Sequence, residues 1–245
     1  MFNLAVETTG RVGGIALGRD DDIVAAAAFN TAFNHAVELL PTVDGLCRAH
    51  GCEPSALSEL YVSGGPGSFT GLRIGITLAR TLAWSMGVRV VRVATLDAVA
   101  QNALDANPPP LNLGVVLDAK RKSVFAAAYR LIGNRYFSTA PAAECDPVTF
   151  LDCLPKPAAV TGEGVPFIAE ALTRVMGGPP SPDPGGLFVL PESLFRARAE
   201  VVYRLGRERA AAGDFDDPAQ LIPIYVRRPE AEEVWDRRHR SPDTR

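Results

Sequence analysis

Histidine is scarce in this chain. It occurs as His35, His50 and His239 only, and residue 39, where a helical His-x-x-x-His pair begun by His35 would need its second metal ligand, is leucine. A mononuclear metal site is therefore not expected. Cysteine is nearly as rare: Cys47, Cys52, Cys145 and Cys153 form neither a CxxC pair nor a Cys/His ligand spacing, which leaves reduced, mostly buried thiols. Long apolar runs are missing too. The longest, Ile23 to Phe29, is seven residues, far below the ~20 needed to cross a bilayer. Met1 to Glu7 lacks the basic n-region of a signal peptide, so the expected location is cytoplasmic, with no membrane contact. Positive charge is not in excess either. The formal net charge of −3 and a pI near 5.7 deny the chain the broad field of an autonomous nucleic-acid binder, so any RNA contact is local or made through a partner. No Ser/His/Asp or Cys/His nucleophile arrangement stands out.

What the chain does have is apolar content, 47% of residues, enough for a sizeable core in one or two domains. Three strand-like runs open it, Asn3 to Glu7, Gly13 to Leu17 and Ile23 to Phe29, separated by turn compositions. A helix follows over His35 to His50 with Asn34 as its N-cap and a kink or later start at Pro41. Leu60 to Ser63 reads as a strand, Gly64 to Gly71 as a Gly-rich turn, Leu72 to Met86 as a helix, Val88 to Val93 as a strand, and Thr95 caps a helix to about Leu104. Pro108-Pro109-Pro110 is the domain boundary.

After the prolines the pattern begins again. Strands over Leu113 to Asp118, Ser123 to Leu131 and Arg135 to Ser138 precede a helix begun by Asp146-Pro147, a strand over Ala158 to Thr161, a helix over Val165 to Val175, a strand over Leu187 to Leu190 and a helix over Ser193 to Ala212. Placing Asp118 on Glu7 lays Ser123-to-Arg130 over Val12-to-Arg19 without a gap. Two such halves make an α/β, duplicated actin-like (ASKHA, RNase H-like) fold. The expected division is a first lobe over 1–107, a smaller second lobe over 111–212 and a tail over 213–245 resting partly on the first lobe.

In that fold, nucleotide phosphates bind against the turns between the first two strands of each half. The first turn, Glu7-Thr8-Thr9-Gly10, has small residues, hydroxyls and an acid able to hold water or Mg²⁺. The second, Asp118-Ala119-Lys120-Arg121-Lys122, has no glycine and three long cations, so half of an ATP clamp is missing. The Gly-rich segment Ser63 to Gly75 is neither a P-loop nor a dinucleotide fingerprint. One reading is a tight turn with Ser68 or Thr70 capping the next helix. The other is a functional surface exposing Phe69. Glu7, Thr8, Thr9, Gly10, Gly65, Gly67 and Ser68 are thus the candidate nucleotide or anion contacts.

The helix after this turn spends Leu72, Ile76, Ala79, Leu82, Ala83 and Met86 on one apolar stripe. Arg73, Ile74, Thr77, Leu78 and Trp84 then point elsewhere. Gly71 and Gly75 in its first turns each cost up to about 1 kcal/mol, which suggests close approach of another backbone. Either a partner protein supplies that backbone, or the helix begun by His35 covers this face within the chain. The interface candidates are Phe69, Arg73, Ile74, Gly75, Thr77, Leu78 and Glu38.

Leu4-Ala5-Val6-Glu7-Thr8-Thr9, His35-x-Val-Glu38-Leu-Leu-Pro41, Gly65-Pro66-Gly67-Ser68-Phe69-Thr70-Gly71-Leu72-Arg73-Ile74-Gly75 and Pro223-Ile-Tyr225-Val-Arg227, in this order, resemble the TsaB (YeaZ) family over nearly the whole chain. Glu7 stands where Asp is commoner, and Ser123-Val124-Phe125 where Glu-Val-Tyr often stands. The resemblance implies a non-catalytic subunit that binds the homologous TsaD. That partner carries the metal and transfers threonylcarbamoyl, from an adenylate made by TsaC, to N6 of adenosine 37 in tRNAs reading ANN codons. It further implies a TsaE-like ATPase partner, tRNA met only through the complex, a homodimer when alone, no cofactor of the chain's own, and ATP or ADP at the complex interface. A glycoprotease-like peptidase and an actin-fold small-molecule kinase are the alternatives. The first lacks a nucleophile or metal, and the second lacks its second phosphate loop.

Overall fold

Alternation of side chains along the first strands builds a sheet with two covered faces. In the computed structural model, which describes residues 1–32, 34–178, 185–224, 226 and 235, strands β1 (Phe2–Glu7), β2 (Gly14–Arg19) and β3 (Asp22–Ala28) form an antiparallel meander. Helix α1 (His35–Ala49) leads to β4 (Leu57–Ser63), α2 (Phe69–Met86), β5 (Arg89–Val93) and α3 (Thr95–Asn102). Strands β4 and β5 join in parallel, giving the order β3-β2-β1-β4-β5.

The second half repeats this order. It comprises β6 (Asn112–Asp118), β7 (Val124–Ile132), β8 (Arg135–Ser138), β9 (Ala143–Cys145), α4 (Pro147–Cys153), β10 (Ala158–Thr161), α5 (Ala169–Met176), β11 (Leu187–Val189) and α6 (Ala199–Ala211). Its sheet reads β8-β7-β6-β10-β11, with β9 added on β7. This duplicated two-sheet α/β architecture is the actin-like fold. The ungapped repeat, however, is off by one residue. Residues 8–13, six of them, separate paired Glu7 and Gly14, whereas only 119–123, five, separate paired Asp118 and Val124.

On the first sheet Leu4, Val6, Ile15, Leu17, Leu60 and Val62 face α1 and α2, while Ala5, Ala16 and Tyr61 face the other way. That inner face receives α6, although α6 comes from the second half of the chain: Tyr203 meets Tyr61 edge-on at 5.3 Å between ring centroids. A Cβ at Gly18 or Gly206 would overlap one of these rings, so glycine at both positions lets the helix sit close. Reciprocally, α3 leans on the second sheet, with Tyr129 donating to Asp97 Oδ1 (2.7 Å) and Gln101 bonding both backbone groups of Tyr136. The central core thus joins both sheets through α3 and α6. The following segment returns to the first sheet: Asp216 N–H donates to the Val90 carbonyl and Ile224 N–H to that of Gly64.

Several local expectations differ. Helix α1 starts at His35 and runs through Pro41, so there is no later start. Asn34 makes no side-chain cap, and Glu38 ties down the preceding loop instead, accepting from Asn30 and Thr31. Helix α2 begins three residues earlier than expected, because Ser68 Oγ accepts from Gly71 N–H (3.2 Å). Met86 is exposed rather than in the expected core stripe of α2. Thr95 does not cap α3, since its hydroxyl serves the cleft. The expected 165–175 helix splits into a 3-10 turn and α5, and the expected 193–212 helix into a 3-10 turn and α6. Strand β9 was not expected. Tyr225 and Arg227 of the C-terminal motif, and residues 179–184 of the Pro/Gly-rich loop, lie outside the described residues.

Candidate functional site

The first turn is closed on itself. Glu7, buried at the end of β1, directs Oε1 at the Thr9 N–H (2.5 Å), the Thr9 hydroxyl (2.6 Å) and the Gly10 N–H (3.1 Å). The N–H groups of residues 9 and 10 and the Thr9 hydroxyl thus already have an acceptor within the chain, while the Thr8 N–H faces Ser63 Oγ at 3.3 Å. His35 Nε2 lies 3.0 Å from the Gly10 carbonyl oxygen and holds the far side of the same turn.

The Gly-rich turn is fused to it from above. Ser68 N–H donates to the Thr9 carbonyl (2.8 Å), and the Thr8 hydroxyl donates to that of Gly71 (2.8 Å). A Cβ on Gly67 would come 2.7 Å from Thr9 O, one on Gly71 1.8 Å from Thr8 O, and one on Gly75 2.7 Å from Thr8 Oγ1. The backbone that the α2 glycines approach is therefore the chain's own first turn, not a partner's. Gly75 is buried and leaves the interface set. Gly65, buried with φ +109°, donates its N–H to the Thr95 hydroxyl (3.2 Å), which in turn donates to Thr9 Oγ1 (3.1 Å).

Facing these turns, the second turn holds Lys120, Arg121 and Lys122 in consecutive left-handed conformations (φ 64°, 53° and 66°). Asp118 stabilises it by accepting from the Lys120 N–H (2.8 Å) and pairing with the Lys120 ammonium. Between the two halves lies a cleft of about 510 Å³, lined by Thr9, Gly10, Ser68, Phe69, Asp118, Lys120, Phe125, Glu163 and Phe167 among others. Glu163 reaches across it to the Arg11 N–H, 3.2 Å from Oε2. Burial pushes its carboxyl above the usual range. The Arg11 N–H opposes that shift, and the nearby Glu7 adds to it. Glu163 was not read from the sequence. Its only local signal was the glycine on either side, in Gly162-Glu163-Gly164.

The interface candidates divide. Ile74 and Leu78 are half-buried against the cluster that holds Leu39, Val43 and Leu46 of α1, so that side of α2 is covered within the chain. Glu38 is spent on its loop, and its carboxyl is held below the usual range chiefly by the Thr31 hydroxyl. Phe69, Arg73 and Thr77 remain exposed, with the Arg73 guanidinium 3.9 Å from the Phe69 ring centroid. Val37 and Leu40 on α1 and Trp84 on α2 are likewise 64%, 61% and 90% exposed.

Among the described residues no group of three or more His, Cys, Asp or Glu is arranged to hold a metal ion, and no helix is long and apolar enough to cross a membrane. A family model described as TsaD, tRNA N6-adenosine threonylcarbamoyltransferase, matches residues 30–169. The tRNA threonylcarbamoyladenosine biosynthesis protein TsaB of Bacillus subtilis is 30% identical over 240 residues, 96% of this chain and 98% of that one. The Escherichia coli protein of the same name is 32% identical over 127 residues, 52% of this chain and 54% of its own. Among solved structures, YeaZ from Pseudomonas aeruginosa superposes with a TM-score of 0.75 at 24% identity, covering 91% of this chain and all of that one, which shows a shared fold.

Proposed function

This chain belongs to the TsaB (YeaZ) family, and from that premise we propose that it is the non-catalytic subunit of a tRNA threonylcarbamoyladenosine synthesis complex. It takes part in that biosynthesis by binding a TsaD-like catalytic subunit, which transfers threonylcarbamoyl to N6 of adenosine 37 in ANN-reading tRNAs. The observation that carries the reading is the closed first turn. With Glu7 holding the donors of residues 9 and 10, and Leu39 standing where a second metal-binding histidine would fall, the chain keeps the fold of a phosphate-handling lobe without its working groups. It requires no cofactor of its own, and ATP or ADP, where it takes part, sits at the complex interface. A TsaE-like ATPase is the further partner, tRNA is met through the complex, and the location is cytoplasmic.

The partner surface in this proposal is the outer face of α1 and α2, centred on Phe69, Arg73, Thr77, Val37 and Leu40. In the absence of the partner the same face pairs two copies. Support comes from its exposed apolar residues. The test is Val37→Glu and Thr77→Glu, each at an exposed position. Both variants are expected to keep the wild-type melting temperature within about 2 °C, since surface changes cost little, and to lose co-purification with a TsaD-like subunit. Retained binding by both would refute the surface. Threonylcarbamoyl transfer by the purified chain without any partner would refute the non-catalytic role. Gly75→Arg is no test of it, because that side chain would be driven into Thr8 and Val62.

A further inference from the structure

Glu163 bridges the two halves across the cleft. Its backbone is seated on β6: Gly164 N–H donates to the Val116 carbonyl (2.9 Å), a Cβ on Gly162 would fall 2.2 Å from Val116 O, and one on Gly164 2.8 Å from the Leu117 backbone. Only the side chain extends over the cleft. It meets the first turn at Arg11 N–H and at Gly10, where an added Cβ would lie 2.8 Å from Oε2. That turn cannot move alone. It is bound by Glu7 below, by His35 at the start of α1, and through Thr8 and Thr9 to Gly71 of α2 and its N-cap Ser68.

We propose that Glu163 is a latch between the halves, and that its engagement of residues 10 and 11 fixes the position of the N-terminal turn of α2. The state of the cleft is thereby transmitted to the outer helix face through a contact of backbones with no side-chain slack, because Gly67 and Gly71 leave no gap over Thr8 and Thr9. The groups around the Glu163 carboxylate that bear on the latch are Glu7, Arg11 and Arg196, with Asp118 and Lys120 lining the same cleft. The inference concerns the free chain and stands whether or not the partner reading does.

The test is a double-mutant cycle on the full chain, read by amide hydrogen exchange. Glu163→Ala removes the latch, Gly10→Ala pushes it off, and Gly10, having no left-handed φ, accepts alanine without backbone strain. Each single variant is expected to speed exchange roughly tenfold at residues 10–11 and 68–72, while β6 and β10 stay protected. The double variant should look like Glu163→Ala alone. Glu163→Gln, which keeps the shape, should give a smaller change of the same pattern and covers the case in which Glu163→Ala fails to fold. Additive effects, changes confined to residues 161–165, or no change at 68–72 in any folded variant would each overturn the latch.

Discussion

Gly71→Ala should destabilise the protein, although alanine is the better helix former. In an open helix interior the exchange gains about 1 kcal/mol. Gly45, in α1, supplies that reference, since nothing lies within 4 Å of a Cβ placed there. At Gly71 the same methyl would sit 1.8 Å from the Thr8 carbonyl oxygen, in a turn held against α2 by the Ser68 N–H donating to the Thr9 carbonyl and the Thr8 hydroxyl donating to the Gly71 carbonyl. Relieving the overlap means moving α2 off the first turn and stretching at least one of those bonds. Overpacking costs about 1–3 kcal/mol and a lost buried hydrogen bond about 1 kcal/mol more. Net of the helix gain, Gly71→Ala should lose about 1–3 kcal/mol, while Gly45→Ala should gain about 0.5–1 kcal/mol. With a urea slope of about 2–3 kcal/mol/M, the midpoint falls by about 1 M for the first and rises by about 0.3 M for the second. Circular dichroism at 222 nm against urea measures both. A neutral or stabilising Gly71→Ala would refute the view that this glycine exists to let the first turn and α2 touch.

Other outcomes follow from single groups. Burial raises the folded-state carboxyl of Glu163 above its unfolded value, so its contribution to stability is fully present below the unfolded pKa and is lost as pH rises through the folded one. The melting temperature of Glu163→Gln relative to wild type should therefore rise from mildly acidic to neutral pH, and a constant difference would contradict the burial argument. Glu38, with its carboxyl held low by Thr31 and Asn30, has the opposite sign: its stabilisation is present above the unfolded carboxylate range and fades as pH falls through the lowered value, so Glu38→Gln should lose its deficit in acid. Alkylation at pH 8 should label exposed Cys153 first and spare Cys52, whose thiol burial pushes up to about 12, and fast labelling of Cys52 would show that the end of α1 opens.

The sequence by itself determined what local pattern and local chemistry can determine. The apolar runs Leu4-Ala5-Val6 and Leu60-Tyr61-Val62 were legible as strands. The prolines at 108–110 separated two copies of one meander, and Leu39 removed a metal pair without reference to any neighbour. The Gly-rich segment was legible as a sharp signal, but its meaning was not. Whether Gly71 and Gly75 touch a partner or their own chain depends on where residues 8 and 9 lie, more than sixty positions away, and no periodicity encodes that distance. The same holds for Thr95, which reads as a helix cap yet gives its hydroxyl to Gly65 and Thr9, and for Glu7, which reads as an acid able to hold water or Mg²⁺ yet turns its carboxylate on residues 9 and 10. Glu163 was invisible because its role exists only once two sheets face each other. Tertiary structure decided these matters, since a buried donor or a missing Cβ acquires a function only from the group the fold brings against it.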